Sequence, residues 1–245
     1  MKTLIIIPSR LSASRLPGKP LLKINGLSII SHVVKKAQDA NIGEVFVATE
    51  DQEIVDEVKK NSGQVILTSN QNKTGTDRIC EAYKKLGRPD IELIMNLQGD
   101  EPLMNIEDIK KLHDLMIKKK SKIGTLASNI DDQNFYKNQN IVKVITKESL
   151  NISQFTEAIN FTRNFTNITE NVYHHLGIYC YQAETLLKFV SFPQSQNEIK
   201  NKLEQLRALD NNIKINVGLA KSSPIGVDTN EDFVAIKKIM EYKNE

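Results

Sequence analysis

The 245-residue sequence has no tryptophan, only two cysteines and a charge excess of just +3 from 33 basic and 30 acidic residues. Each shortage closes off a class of function. The near balance of charge, with no tryptophan and no recognised nucleic-acid module, argues against a nucleic-acid or membrane-surface binder, so any basic cluster acts locally. Cys80 and Cys180 lie far apart and form no Cys-x-x-Cys pair. They fit neither a disulfide nor a zinc framework and are expected as small buried residues of a reducing, cytoplasmic compartment. No segment approaches the roughly 20 apolar residues of a membrane helix. The opening "MKTLIIIPSR" carries too short an apolar run for a signal peptide and reads as a first strand. Glycine is missing where familiar phosphate loops need it. No G-x-G-x-x-G follows that strand, and "RLPGKP" lacks the earlier glycine and the Ser/Thr of a P-loop. A P-loop kinase and a dinucleotide-dependent dehydrogenase are therefore disfavoured.

What is present is a core-forming chain, 40% hydrophobic, in which strand-length apolar runs alternate with amphipathic segments. "TLIII", "EVFVAT", "QVIL" and "IELIMNLQGDEP" read as strands; "LSIISHVVKKAQDA" and "TGTDRICEAYKKL" read as helices. "TEDQ" supplies an N-cap and capping-box glutamine for the helix carrying Ile54, Val55 and Val58. The alternation predicts an α/β fold: a mostly parallel, mixed central sheet with helices on both faces and right-handed crossovers. Past about residue 120 the regularity weakens. "IGTLASNI", "IVKVIT", "HLGIYCY" and "KINVGLA" read as strands, "NEIKNKLEQLRALDNN" as one helix with Ile199, Leu203 and Leu206 on a face, and "TNEDFVAIKKIMEY" as a last helix. With no linker and no repeat, residues 1–245 read as a single domain: a nucleotide-binding part over about 1–120, a smaller lobe over about 121–190, and a return to the main sheet over 191–245.

The first strand ends in "PSRLSASRLPGKPLL", which places Arg10, Arg15 and Lys19 at the carboxyl edge of the sheet, where ligands of open parallel sheets bind. Three neighbouring cations suit a polyphosphate, arginine giving bidentate contacts and lysine a mobile point charge. Gly18 is expected to let the backbone pass close to that ligand, and Lys19 to be exposed enough that its loss leaves folding intact. A solvated basic loop is the alternative. "NLQGDEP" ends its strand at Gln98 and Asp100, and "GVDT" puts Asp228 before the last helix. Strand-end carboxylates can hold Mg²⁺ or cap a following helix. "TGTDR" sets Thr74, Gly75 and Arg78 at a helix N-terminus suited to a carbonyl or phosphate acceptor, or to a plain capping box between Thr74 and Asp77.

The motifs "IPSRLSASRLPGKPL", "TGTDR", "NLQGDEP", "HLGIY", "LEQLR" and "GVDT", in this order over essentially the whole chain, resemble the 3-deoxy-manno-octulosonate (Kdo) cytidylyltransferases, within the nucleotidyltransferases that activate sugars. The resemblance implies a Rossmann-like nucleotidyltransferase fold, CTP and Kdo as substrates, Mg²⁺ as cofactor, a homodimer, and no nucleic-acid or membrane partner. It implies a triphosphate cradle of Arg10 and Lys19, with Thr74, Gly75 and Arg78 on the cytosine. Asp100 and Asp228 together hold the metal, Asp100 also belonging to the nucleotide site. Lys19, Arg15, Asp100 and Asp228 carry catalysis. Arg15, Gln98, Arg163, His175, Tyr179, Glu204 and Gln205 are implied for the sugar, with a smaller sugar-binding and dimerisation lobe. One place departs from the family: where Ser-Arg, a small residue and Ile-Pro are usual, this chain has "NFTRNFTNI", which keeps Arg163 and alters its surroundings. A related enzyme for another sugar acid, such as a sialic acid, and a non-catalytic nucleotide-binding module are the rivals. The module would need the phosphate loop but not both Asp100 and Asp228.

Overall fold

The computed structural model describes residues 1–12, 15–130, 132, 134–164 and 170–242. In chain order the elements are β1 (Thr3–Pro8), a 3-10 turn (Lys19–Leu21), β2 (Lys23–Ile24), β3 (Leu27–Ser28), α1 (Ile29–Ala40), β4 (Glu44–Thr49), α2 (Gln52–Lys60), β5 (Gln64–Leu67), α3 (Gly75–Leu86), β6 (Leu93–Asn96) and α4 (Ile106–Lys119). They continue as β7 (Ile123–Ser128), α5 (Asn134–Lys137), β8 (Lys143–Thr146), β9 (Thr156–Thr162), β10 (Val172–Gln182), α6 (Ala183–Ser191), α7 (Gln196–Asn201), α8 (Leu206–Asp210), β11 (Ile215–Leu219) and α9 (Asn230–Tyr242). The fold is α/β with a mixed central sheet, as the alternation predicts.

The chain forms two compact units, one of residues 2–109 with 224–245 and one of 110–223 with Met1. These contacts draw the line differently from the sequence pattern: residues 191–223 group with the second unit, and only the last 22 residues return to the first.

In the first unit the strands run β5-β4-β1-β6, all parallel, with Ile5 opposite both Val45 and Met95. Leu4 to Ile7 are fully buried. That is why β1 reads as a continuous apolar run, as strands covered on both faces do. Its polar continuation leaves the sheet at Ser9, whose N–H donates to the Ala48 carbonyl at 3.0 Å. Gly99, just past β6, is forced by close approach: a Cβ there would stand 3.0 Å from the Pro8 carbonyl and 3.2 Å from Ile30. Gly18 has a different cause. Its φ of 70° is left-handed, a conformation that by itself favours glycine. The short β2–β3 hairpin turns at Asn25–Gly26, both at positive φ, the usual chemistry of a two-residue hairpin.

Asp51, not Thr49, occupies the N-cap position of α2, and no side-chain cap bond forms there. The Asp51 carboxylate instead accepts the Leu11 N–H at 2.7 Å, while Thr49 Oγ1 accepts the Asp51 N–H at 3.1 Å. The predicted capping box is thus replaced by an anchor for the basic loop.

In the second unit the order is β10-β7-β11-β9-β8, with β7–β11 parallel, the other neighbours antiparallel, and β8 also pairing β10. The single helix predicted over residues 197–212 is two short ones. Lys202 takes a left-handed φ of 52° and ends α7, and α8 begins only at Leu206. Ile199 therefore leaves the predicted apolar face and is 60% exposed. The break lets Arg207 turn back onto Glu198: Nε and Nη2 donate to its two carboxylate oxygens at 2.8 and 2.6 Å, with the guanidinium 4.7 Å from the Phe189 ring centre. Both partners are buried.

A buried charge stripped of its partner is costly. Glu198→Ala should lower unfolding free energy by about 3–5 kcal/mol in denaturant titration, while Glu198→Leu combined with Arg207→Met should recover most of it. A loss under ~1 kcal/mol for the single variant would show the pair to be dispensable.

Candidate active site

The basic loop, the end of β6, the start of α3 and the segment before α9 close around a cavity of about 330 Å³ in the first unit. Its lining includes Arg10, Arg15, Lys19, Thr74, Gly75, Arg78, Gln98, Asp100 and Asp228. Nine residues singled out from four separate stretches of sequence thus meet in one place.

Lys19 is the hub. Its Nζ donates to Asp100 Oδ2 at 2.5 Å, to the Val227 carbonyl at 2.8 Å and to Asp228 Oδ1 at 3.2 Å, using the three donors an ammonium has. Arg15 adds an Nη2 contact to Asp228 Oδ2 at 2.9 Å. The Lys19 side chain is 13% exposed, so it is not the open cation expected. Burial pulls its pKa down, but Asp100 and then Asp228 outweigh that and hold it above the ordinary lysine value.

Apolar packing sets this geometry. Ile24, Ile29, Val227 and Ile236 form a fully buried cluster against which Leu16, Leu22, Leu103, Phe233 and Met240 pack. Leu16 and Leu22 bracket Lys19, and Val227 directly precedes Asp228. Each such aliphatic contributes about 1.5–3 kcal/mol when fully buried. The Val227 N–H also donates to the Asp100 carbonyl at 2.9 Å, tying the two carboxylate-bearing segments together by their backbones. Asp232, in the first turn of α9, accepts the N–H groups of Asp228 and Thr229, and the Thr229 hydroxyl accepts the Asp232 N–H in return. Thr229 and Asp232 thus cap the helix, leaving the Asp228 carboxylate to the cations.

Thr74 and Asp77 form a full capping box at the start of α3, beside the cavity that Thr74 and Gly75 line. Capping and ligand binding are compatible here. Arg78 is buried, and its guanidinium is already engaged: Nη2 pairs with Glu50, while Nη1 donates to Thr68 Oγ1 at 2.6 Å and to the Ser69 carbonyl at 3.4 Å. It reaches the cavity as a braced group. Arg10 is exposed at the rim.

Glu50, Asp51 and Glu101 were missed from sequence, although the acidic pairs after β4 and β6 were the available signal. Glu101 is partly buried as a residue, yet its Oε2 is enclosed with no hydrogen-bond partner. Burial first, then the charges of Asp100 and Asp228, push its carboxyl up to about 8, so at neutral pH it adds no third negative charge to the pair. Ser9 also lines the cavity, and its buried Oγ has no partner among the described residues.

Among the described residues no group of three or more His, Cys, Asp or Glu side chains is placed to hold a metal. Asp100 and Asp228 are two carboxylates converging on one cation. That donor set fits Mg²⁺, which is commonly held by one or two carboxylates together with substrate phosphates and water.

The residues implied for the sugar in the second unit lie on other elements. His175 and Tyr179 share β10 with ring centres 5.3 Å apart. Burial, with His174 adding, pushes His175 down to about 3, so it is neutral, and its Nε2 lies 3.1 Å from Thr125 Oγ1. The Tyr179 hydroxyl is buried without a partner, and burial, then Tyr181 and Glu204, raise its pKa well above the usual tyrosine value. Glu204 and Gln205 sit in the turn between α7 and α8, not on the continuous helix predicted. Arg163 follows β9, its Nη1 on the Gln139 and Asn140 carbonyls at 3.3 and 3.2 Å. Of the altered stretch after it, residues 165–169 lie outside the described residues.

The cytidylyltransferase family profile matches residues 4–215. The chain belongs to the cytidylyltransferase family. Relatives of this cytidylyltransferase include the 3-deoxy-manno-octulosonate cytidylyltransferases of Afipia carboxidovorans, 41% identical with 97% of this chain and 96% of that protein covered, and of Thermodesulfovibrio yellowstonii, 41% identical with 98% of each covered. Among solved structures, CMP:2-keto-3-deoxy-manno-octonic acid synthetase complexed with CTP matches with a TM-score of 0.89 and 31% identity, over 99% of this chain and 100% of that one. UDP-glucose pyrophosphorylase complexed with UDP-glucose shares the fold at a TM-score of 0.74 and 14% identity, over all of both chains.

Because Lys19 is the shared partner of two partly buried carboxylates, Lys19→Met should destabilise the metal-free protein by about 1–3 kcal/mol, the cost of buried polar groups left unpaired. Added Mg²⁺ should then raise the melting temperature of the variant more than that of the wild type. Equal melting temperatures with and without Mg²⁺ would contradict this arrangement.

Proposed function

We propose that the chain transfers CMP from CTP to Kdo, giving CMP-Kdo and pyrophosphate, and so activates Kdo for lipopolysaccharide synthesis. The observation that carries the reading is the convergence of Asp100 and Asp228 on Lys19, inside a cavity rimmed by Arg10 and Arg15. A binding module needs cations for phosphate; it has no use for two carboxylates brought together from more than a hundred residues apart. The Kdo specificity rests on the names of full-length relatives at 41% identity.

In this reading Arg10 and Lys19 bind the triphosphate, with Lys19 leaving its carboxylate partners for the β- and γ-phosphates as CTP enters. The Kdo anomeric oxygen bonds to the α-phosphorus while the bond to the bridging oxygen breaks. Pyrophosphate takes the electron pair, and the hydroxyl proton passes to water. Cations beside the leaving group stabilise the charge that develops there. Asp100 and Asp228 would hold Mg²⁺, which supplies charge neutralisation and a lower pKa for the attacking hydroxyl. Thr74, Gly75 and the braced Arg78 serve the cytosine, and Ser9 offers the incoming nucleotide an unused hydroxyl. Arg15 and Gln98 serve the sugar, as do Arg163, His175, Tyr179, Glu204 and Gln205. A cytoplasmic homodimer completes the proposal; no helix among the described residues is long and apolar enough to cross a membrane.

The test is pyrophosphate release with CTP, UTP, ATP and GTP, each against Kdo and sialic acid. CTP with Kdo should exceed every other pair. UTP is the demanding competitor, and a pocket hydrogen-bonding the cytosine edge should reject it by 10⁴-fold or so, since its own groups go unpaired with the wrong base. Comparable turnover with ATP, or with sialic acid, would overturn the reading.

A further inference from the structure

Lys143, on β8 in the second unit, is 0% exposed. Its ammonium donates to the carbonyls of Asn138 at 2.6 Å, Ile141 at 2.9 Å and Arg163 at 3.0 Å. All three donors are therefore used, and every acceptor among the described residues is a backbone carbonyl. A buried cation with no carboxylate partner among the described residues is expensive, and none of the phosphate-site contacts described above involves it. Burial, with the Arg163 guanidinium adding, lowers its pKa below the ordinary lysine value.

Its place in the sheet shows what that cost secures. Lys143 stands opposite Thr162 of β9 and opposite His174 of β10. The next residue after Thr162 is Arg163, and the His175 N–H donates to the Val142 carbonyl at 2.9 Å. The Asn138–Ile141 turn that Lys143 holds by two carbonyls is the same segment whose Gln139 and Asn140 carbonyls hold the Arg163 guanidinium. Backbone and side chain of Arg163 are thus fixed to one turn, and the Lys143 ammonium is the bolt between them.

We propose that Lys143 is a positioning residue for sugar-acid recognition: it fixes the arm that carries Arg163, and so sets where that guanidinium stands for the carboxylate of the sugar acid. This rests on the reaction proposed above and on Arg163 as a sugar contact. In this chain, whose sequence after Arg163 lacks the usual Ile-Pro, the lysine supplies rigidity from inside the sheet. A methionine of similar length would fill the space and release all three carbonyls.

The experiment is steady-state pyrophosphate release by Lys143→Met, Lys143→Gln, Arg163→Gln and the Lys143→Met/Arg163→Gln pair. For Lys143→Met, KM for Kdo should rise on the order of tenfold, the scale of one charged hydrogen bond, with KM for CTP and kcat within about twofold of the wild type. Lys143→Gln, which keeps two donors, should fall between. On the Arg163→Gln background Lys143→Met should add little, since a residue acting through another has nothing left to position. If the methionine variant does not fold, the glutamine variant must show the same split. A rise in both KM values together, or losses that multiply fully with Arg163→Gln, would overturn the role of Lys143 alone. A wild-type enzyme with no Kdo-dependent turnover would overturn the reaction and this inference with it.

Discussion

One ammonium group between two carboxylates holds the first unit's site together. Lys19 bridges Asp100, at the end of a strand near the middle of the sequence, and Asp228, more than a hundred residues later. Two carboxylates this close repel, and neither would stay in place without a cation. The chain provides Lys19 and fixes it by packing: Leu16 and Leu22 on either side of it pack against the same apolar cluster as Val227. The loop that carries the charge and the segment that receives it are therefore buried together. The lysine at the centre of the site is thus held by the same contacts that hold the fold.

Second-layer groups keep the electrostatics of the cavity narrow. Asp51 takes the Leu11 N–H and holds the base of the cationic loop. Glu50 braces Arg78. Burial and its two acidic neighbours keep Glu101 protonated, so the pair of carboxylates remains a pair. A small divalent cation that keeps several waters and shares its coordination with phosphates suits two protein carboxylates better than a closed protein cage.

Much of the first half of the fold was legible because β1, β4 and β6 are mostly buried apolar runs and α3 opens on a clear capping signal. β1, β4, β5 and β6 all fall on the apolar runs, and Thr74 and Asp77 make the box their spacing suggests. The charged residues of the cavity were legible for a related reason: strand ends and helix starts converge at the carboxyl edge of a parallel sheet. Other features were not. The Asn25–Gly26 turn joins strands of only two residues each, too short for a periodic signal, and β9 alternates irregularly between buried and exposed positions. The helix over residues 197–212 had the right period, but the left-handed turn at Lys202 that brings Arg207 onto Glu198 is invisible to periodicity. Resemblance, not spacing, pointed to Arg163, His175, Tyr179, Glu204 and Gln205. The sequence carries no sign that Lys143, one basic residue among 33, is fully buried.

The central claim is that Asp100 and Asp228 serve one cation. Turnover at saturating CTP and Kdo should be measured for Asp100→Asn, Asp228→Asn and the double variant. Asparagine keeps the shape and removes the charge, so each single change should cost on the order of a hundredfold, the scale of losing one electrostatic stabiliser of a transition state. The double variant should lose far less than the product of the two, as ligands acting as a unit do. Fully multiplicative losses would place the two carboxylates at separate tasks and contradict a shared site.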